Sequence, residues 1–102
     1  MSSVETGTGR RRVEFFSHPL CSGCSDVRQM LRTLEGELGD VIEVERWNLA
    51  VPGGRVRAQE LEVTEVPTIV IDGAEMIIGV PDDIDELRRR LVAPGVPESD
   101  RG

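Results

Sequence analysis

Two runs of β-prone residues in the first half of the chain predict strands. Residues 13–17 form the first run, which ends just before Pro19 and favours a central strand that leads directly into a loop. Residues 41–47 form the second run, in which apolar side chains are interrupted by charged ones. A turn predicted at residues 52–54, Pro-Gly-Gly, follows this strand.

The second half of the chain contains a predicted hairpin. The β-branched run at residues 68–71 is separated from the apolar run at residues 76–78 by a segment that begins with Asp72-Gly73. An Asp-Gly pair is typical of a two-residue turn between antiparallel strands. The last two strands are therefore predicted to pair with each other.

Apolar positions at helical spacing predict three helices. The first is predicted to start at Cys21 and to end before Gly39, and residues 55–61 predict a weaker second helix. Asp82 is predicted to cap a third helix, with acidic residues in its first turn and arginines in its last, as the helix dipole favours. The apolar faces of the first and third helices are Val27, Met30, Leu31, Leu34 and Leu38, and Ile84, Leu87 and Leu91.

The order of these elements predicts an α/β fold with the sequence βαβαββα. A parallel βαβ unit followed by a hairpin and a covering helix forms a four-stranded mixed sheet with helices on both faces. We expect one domain at residues 13–92, preceded by a flexible segment at residues 1–12 and followed by a tail at residues 93–102.

Composition narrows the classes of function. The chain has 19 acidic and 12 basic residues, and the resulting net charge of -7 disfavours binding to nucleic acid or to anionic lipid. No apolar stretch has the roughly 18 residues that a membrane span needs. The first twelve residues are polar and lack the apolar core of a secretory signal. We therefore expect a cytoplasmic protein without nucleic-acid or membrane partners.

The two cysteines of the chain lie where the first strand gives way to the first helix, in the segment Cys21-Ser22-Gly23-Cys24. The N-terminus of a helix stabilises an anion, so more of Cys21 is expected to be present as the thiolate that attacks disulfides. Cys24 lies within one helical turn and is placed to break the resulting mixed disulfide. Ser22 and Gly23 add backbone N–H groups near the attacking sulfur and leave room for a protein substrate.

A metal or cluster site is the alternative interpretation of the cysteine pair. His18 is the only histidine, so a closed zinc site made of cysteine and histidine would need ligands of other types. Two chains with external thiols could instead hold an iron–sulfur cluster through Cys21, which would make the protein a non-enzymatic cluster or metal carrier. An inert pair and a non-catalytic interaction module are further alternatives.

Residues 13–24 resemble the opening of the thioredoxin superfamily, most closely its glutaredoxin branch. Residues 65–71 resemble the segment in which that superfamily places a cis-proline opposite the cysteines. The resemblance implies that Pro67 is cis and that the backbone of Val66 pairs with a bound substrate as an added strand. Phe15 occupies the position of the buried acid that in thioredoxin helps to deprotonate the resolving cysteine.

Residues 79–84 are similar to the glycine-pair and acid motif with which glutaredoxins hold the γ-glutamyl end of glutathione. This similarity implies Asp82 and Asp83 as binding residues, although Val80 and Pro81 replace the expected second glycine and its neighbour. His18 stands where glutaredoxins often carry a lysine for the glycine carboxylate, so it is also implied in substrate binding.

The residues and the resemblance predict a glutaredoxin-like or thioredoxin-like disulfide oxidoreductase with no bound cofactor. Its catalytic residues are predicted to be Cys21 and Cys24. Its substrate-binding residues are predicted to be His18, Ser22, Gly23, Val66, Pro67, Asp82 and Asp83. The expected partners are proteins or glutathione adducts that carry a disulfide, and a separate reductase or glutathione that restores the dithiol.

Overall fold

The computed structural model describes residues 10–92, and in this region it contains four strands and three helices. They are β1 (Arg11–Ser17), α1 (Cys24–Leu38), β2 (Ile42–Asn48), α2 (Pro52–Leu61), β3 (Thr68–Ile71), β4 (Glu75–Ile78) and α3 (Ile84–Val92). The predicted order of elements is confirmed. The predicted tail and residues 1–9 of the predicted N-terminal segment lie outside the described residues.

The four strands form one mixed sheet in the order β2-β1-β3-β4. β1 pairs in parallel with β2, so that Ser17 lies opposite Asn48, and antiparallel with β3, so that Phe15 lies opposite Ile69. β3 pairs antiparallel with β4, as the hairpin prediction required. β1 is therefore a central strand, and the loop that carries the cysteines leaves from its carboxyl end.

A buried apolar cluster lies on each face of the sheet, because neighbouring side chains of β1 point to opposite sides. Phe15 belongs to the cluster that α1 and α3 cover, and Phe16 belongs to the cluster that α2 covers. The helical members of these clusters are Val27, Leu31 and Leu34 of α1, Leu87 and Leu91 of α3, and Ala58 of α2. The prediction of helices on both faces of the sheet is thus confirmed. Within residues 10–92, no helix is long and apolar enough to cross a bilayer.

The first strand begins earlier than predicted. The backbone N–H of Arg11 donates to the carbonyl of Val41 at 2.8 Å, and the backbone N–H of Arg12 donates to a carboxylate oxygen of Asp72 at 2.9 Å. Arg11 and Arg12 therefore belong to β1 rather than to a flexible segment. The hydrophobic pattern missed them because hydrogen bonding, and not side-chain burial, holds this end of the strand.

The segment predicted as a turn at residues 52–54 is the first turn of α2. Proline suits this position because the first N–H groups of a helix have no intrahelical acceptor. Gly54 also comes close to β2, since a Cβ atom there would overlap the carbonyl group of Asn48 and lie 2.6 Å from its carbon. Only glycine fits this contact, which sets the distance between α2 and the end of β2.

The β3–β4 loop has one residue more than the two-residue turn that Asp72-Gly73 predicts, and β4 begins one residue earlier than predicted. Ile71 pairs with Glu75, which leaves Asp72, Gly73 and Ala74 in the loop. Asp72 and Gly73 adopt φ values of 55° and 70°, and the N–H of Ala74 donates to the carbonyl of Ile71 at 3.0 Å. The Asp-Gly pair thus makes the left-handed turn that its sequence predicts, with one additional residue before pairing resumes.

Candidate active site

Cys21 and Cys24 form a disulfide at the junction between β1 and α1, with their Cα atoms 5.5 Å apart. Cys24 is the first residue of α1, is 1% exposed and belongs to the same buried cluster as Phe15, whereas Cys21 is only partly buried. The prediction that the helix starts at Cys21 is wrong, because Gly23 is its N-cap. The Cys21 sulfur nevertheless lies beside the first turn, since it is bonded to the sulfur of the first helical residue.

A tight turn links β1 to the first cysteine. The backbone N–H of Cys21 donates to the carbonyl of His18 at 3.0 Å, and the backbone N–H of Leu20 donates to Nδ1 of the same residue at 3.0 Å. Leu20 is 88% exposed, the largest value among the large hydrophobic residues of the described region. Leu20 was not predicted as a site residue, since its exposure follows from this turn and not from a pattern in the sequence.

The peptide bond between Val66 and Pro67 is cis, as the resemblance implied. A Cβ atom on Gly23 would lie 3.7 Å from Cδ of Pro67, so the proline ring borders the segment between the cysteines. The backbone N–H of Gly79 donates to the carbonyl of Pro67 at 2.8 Å, which ties the end of β4 to the same place. The segment between the cysteines, the cis-proline and the end of β4 are distant in sequence and therefore meet at this site only in the folded chain.

Val80 covers the segment between the two cysteines. Its Cγ2 atom would lie 2.7 Å from a Cβ atom on Gly23, which is closer than real side chains approach. The close approach of Val80 therefore favours glycine at residue 23, whose backbone φ of -91° is itself open to any residue. In the sequence Val80 stands only as the replacement of a glycine, because its contact with residue 23 arises from packing across the fold.

The two acidic residues implied in binding have different environments. Asp83 accepts the backbone N–H of Glu86 at 2.8 Å and so caps α3, which corrects the prediction that Asp82 is the cap. Asp82 is exposed and lines a groove of about 440 Å³ between α1 and the segment before α3. The groove is lined by Asp26, Gln29, Met30, Thr33, Val80, Pro81, Asp82 and Ile84.

A buried carboxylate that the sequence analysis missed lies on the other face of the sheet. Glu14 is fully buried, and its carboxylate accepts hydrogen bonds from Nε and Nη2 of Arg57 at 2.6 and 3.0 Å and from Nε1 of Trp47 at 3.0 Å. Because Glu14 and Phe15 point to opposite faces, Glu14 is separated by the sheet from the cluster that contains Cys24. It stabilises the α2 side of the sheet and is not placed to exchange a proton with Cys24.

The ionisation of Glu14 is coupled to folding. Burial by itself raises the pKa of this carboxyl, but the hydrogen bonds from Arg57 and Trp47 and the positive charges of Arg57 and Arg12 outweigh burial and hold the pKa below its usual value of 4.5. A lowered pKa in the folded state means that the ionised group stabilises the fold above about pH 4.5. This contribution is lost as the pH falls through the lowered value.

We expect Glu14→Gln to lower the free energy of unfolding at pH 7 by about 2 kcal/mol, because the charge-assisted hydrogen bonds become neutral ones. The difference from the wild type should shrink as the pH falls below about 4.5. Urea unfolding followed by the fluorescence of Trp47 measures both effects. Glu45→Gln is the control, since its ion pair with Arg12 lies at the surface and should contribute less than about 0.5 kcal/mol. A difference that stays constant between pH 7 and pH 3 would contradict this account.

Within residues 10–92, no group of three or more histidine, cysteine, aspartate or glutamate side chains is arranged to hold a metal ion. The two sulfurs of the site are bonded to each other. In this oxidised state the site contains a disulfide, and neither sulfur is a free thiolate.

Known proteins similar to this chain carry the name thioredoxin, although no protein-family model matches the sequence. The thioredoxin of Methanocaldococcus jannaschii is 31% identical over 83 residues, which cover 78% of this chain and 95% of that protein. A probable thioredoxin of Methanothermobacter thermautotrophicus is 32% identical over 69 residues, covering 68% of this chain and 79% of that protein.

Solved structures give the same fold. The thioredoxin of Fasciola hepatica superimposes with a TM-score of 0.68 at 24% identity, covering 81% of this chain and 79% of that one. A mutant thioredoxin from Halobacterium salinarum superimposes with a TM-score of 0.69 at 24% identity, covering 84% of this chain and 75% of that one. The α/β fold described above is therefore the thioredoxin fold.

Proposed function

The chain belongs to the thioredoxin family, and we propose that it reduces disulfide bonds in other proteins, with Cys21 as the nucleophile and Cys24 as the resolving cysteine. It is a thiol–disulfide oxidoreductase by its relatives and its close cysteine pair. The observation that carries the assignment of roles is the unequal burial of the two sulfur-bearing residues. Cys24 is 1% exposed, and Cys21 is the cysteine that a substrate can reach.

The reduced protein begins the reaction. The thiolate of Cys21 attacks one sulfur of the substrate disulfide, forms a new S–S bond with it and releases the other substrate sulfur as a thiolate. The N-terminal turn of α1 favours the anionic form of this sulfur, because its free N–H groups and the positive end of the helix dipole lie beside it.

Cys24 completes the reaction. Its thiolate attacks the sulfur of Cys21, forms the intramolecular disulfide present in this structure and releases the second substrate sulfur as a thiolate. Two electrons have then passed from the cysteine pair to the substrate. The second attack is fast because both sulfurs sit on one short segment, which gives a high effective concentration.

The cis-proline segment supports a protein as the substrate. Val66 is partly buried and precedes Pro67, which borders the loop between the cysteines. An extended substrate segment that pairs with the backbone of Val66 would bring its disulfide to Cys21 by adding a strand. This mode of binding needs backbone groups and an apolar rim. Leu20, just before Cys21, and Val80, which packs against Gly23, supply exposed apolar side chains.

A dithiol reductase suits this site better than glutathione as the source of electrons. In the motif with which glutaredoxins hold glutathione, a second glycine stands where this chain has Val80. Here the Val80 side chain fills the space above Gly23. A tripeptide whose backbone must approach this position closely meets a methyl group instead.

Regeneration of the oxidised protein tests this proposal. A flavin-dependent disulfide reductase or dithiothreitol should reduce the disulfide between Cys21 and Cys24 rapidly. Glutathione at the same thiol concentration should be at least about tenfold slower, because a monothiol must attack twice in separate encounters. Val80→Gly is the matched variant and should speed the reaction with glutathione alone. Equal rates with glutathione and a dithiol for the wild type would overturn the assignment of the electron donor.

A further inference from the structure

The loop that presents Cys21 is shaped by a histidine side chain. His18, Pro19, Leu20 and Cys21 form a turn in which the N–H of the fourth residue donates to the carbonyl of the first at 3.0 Å. Pro19 at the second position has its φ preset for such a turn. The imidazole of His18 adds a second bond, because its Nδ1 atom accepts the backbone N–H of Leu20 at 3.0 Å.

The neighbouring strand ends in a turn with the same two bonds. After β2, the N–H of Ala50 donates to Oδ1 of Asn48 at 2.8 Å, and the N–H of Val51 donates to the carbonyl of Asn48 at 3.2 Å. The two turns are adjacent, since the N–H of Leu49 donates to the carbonyl of Ser17 at 2.9 Å. At His18 a histidine nitrogen therefore takes the place that the asparagine oxygen takes in the other turn.

We propose that His18 is a positioning residue whose Nδ1 atom accepts the N–H of Leu20 and thereby holds the turn that presents Cys21 to a substrate disulfide. This inference rests on the proposed role of Cys21 as the nucleophile. It differs from the role that the resemblance implied, in which His18 would bind a carboxylate of the substrate.

The turn matters most in the reduced protein. Cys21 belongs to neither β1 nor α1. In the oxidised protein the disulfide ties it to the first residue of α1, but reduction removes this covalent tie. In the form that attacks the substrate, the hydrogen bonds of the turn then hold the nucleophile in place, and a nucleophile held in one geometry reacts faster than one that samples several.

Substitution of His18 separates an acceptor role from other roles. Asn has the same number of bonds between its backbone and its acceptor oxygen as histidine has to Nδ1, so His18→Asn should preserve the bond to Leu20. His18→Ala removes the acceptor. His18→Gln keeps a polar side chain of similar size but places its oxygen one bond further out, and it is the second variant that should lose the bond.

The experiment measures the rate at which each reduced protein attacks a protein disulfide under second-order conditions. His18→Ala and His18→Gln should each be about fivefold slower than the wild type, the effect expected for losing one neutral hydrogen bond, and His18→Asn should be within about twofold of it. Reduction of the oxidised variants by dithiothreitol should change by less than about twofold, because the disulfide holds Cys21 in that form.

Two results would overturn the inference. In the first, His18→Ala and His18→Gln both attack the substrate disulfide at the wild-type rate. In the second, His18→Asn attacks it as slowly as His18→Ala does. Thermal unfolding of the oxidised variants checks that each is folded. Cys21→Ser is measured alongside them. Full activity of Cys21→Ser would refute the proposed function itself, whereas failure of the His18 variants to differ would leave that function in place.

Discussion

Cys21→Ser is expected to reduce protein disulfides at no more than about one thousandth of the wild-type rate, because the serine hydroxyl is hardly ionised at neutral pH and cannot replace the thiolate nucleophile. Cys24 cannot take over the attack, since it is 1% exposed and packed in the core. Reduction of insulin by the purified variant, with dithiothreitol as electron source, measures the effect.

Cys24→Ser is the matched control and should behave differently. The nucleophile remains, so the first attack proceeds, but no second sulfur is present to release the substrate. A covalent complex of one chain with one substrate protein should accumulate and be visible by mass spectrometry and on non-reducing gels. Accumulation of such a complex with Cys21→Ser instead would reverse the assigned roles, and wild-type reduction by Cys21→Ser would refute the mechanism.

Gly54→Ala is expected to destabilise the fold by about 3 kcal/mol, the upper part of the range for overpacking at a closely packed position. The added methyl group would overlap the carbonyl group of Asn48, whose carbon lies 2.6 Å from the Cβ position. Both partners are backbone atoms, so no side chain can rotate to relieve the overlap, and α2 must move away from the end of β2. Urea unfolding at equilibrium gives the change in the free energy of unfolding.

Gly53→Ala is the control for Gly54→Ala. It lies one residue earlier in α2, and a Cβ atom there has no neighbour within 4 Å. Alanine should therefore stabilise the helix by up to about 1 kcal/mol through its higher helix propensity. Equal stability of Gly54→Ala and the wild type would mean that α2 can shift without cost.

The chemistry of the site depends on the strand that carries it. β1 lies in the middle of the sheet between β2 and β3 and contributes side chains to the clusters on both faces. The loop that leaves its carboxyl end is therefore anchored at one side by a central strand of the sheet and at the other by α1, whose first residue is Cys24. Because β1 and α1 fix the two ends of this loop, the turn at His18 between them sets the position of Cys21.

Some errors of prediction had a local cause. The start of α1 was placed at Cys21 because apolar periodicity shows where a helix runs but not where its first hydrogen bond closes. The first such bond runs from the N–H of Val27 to the carbonyl of Gly23. The start of α2 was placed three residues too late, because Pro52 and the two glycines that follow it are typical of turns. Here they form the N-terminus of the helix.

The order of elements and the identity of the redox pair were determined by the sequence itself. Residues 68–71 and 76–78 pair because their Asp-Gly turn is local, and two cysteines separated by two residues come within disulfide distance when a strand ends and a helix begins between them. The contacts of Gly23 with Pro67 and Val80, and the burial of Glu14 against Arg57, were decided only by the tertiary structure. These partners are more than forty residues apart, and no local preference reports which distant segments will pack together.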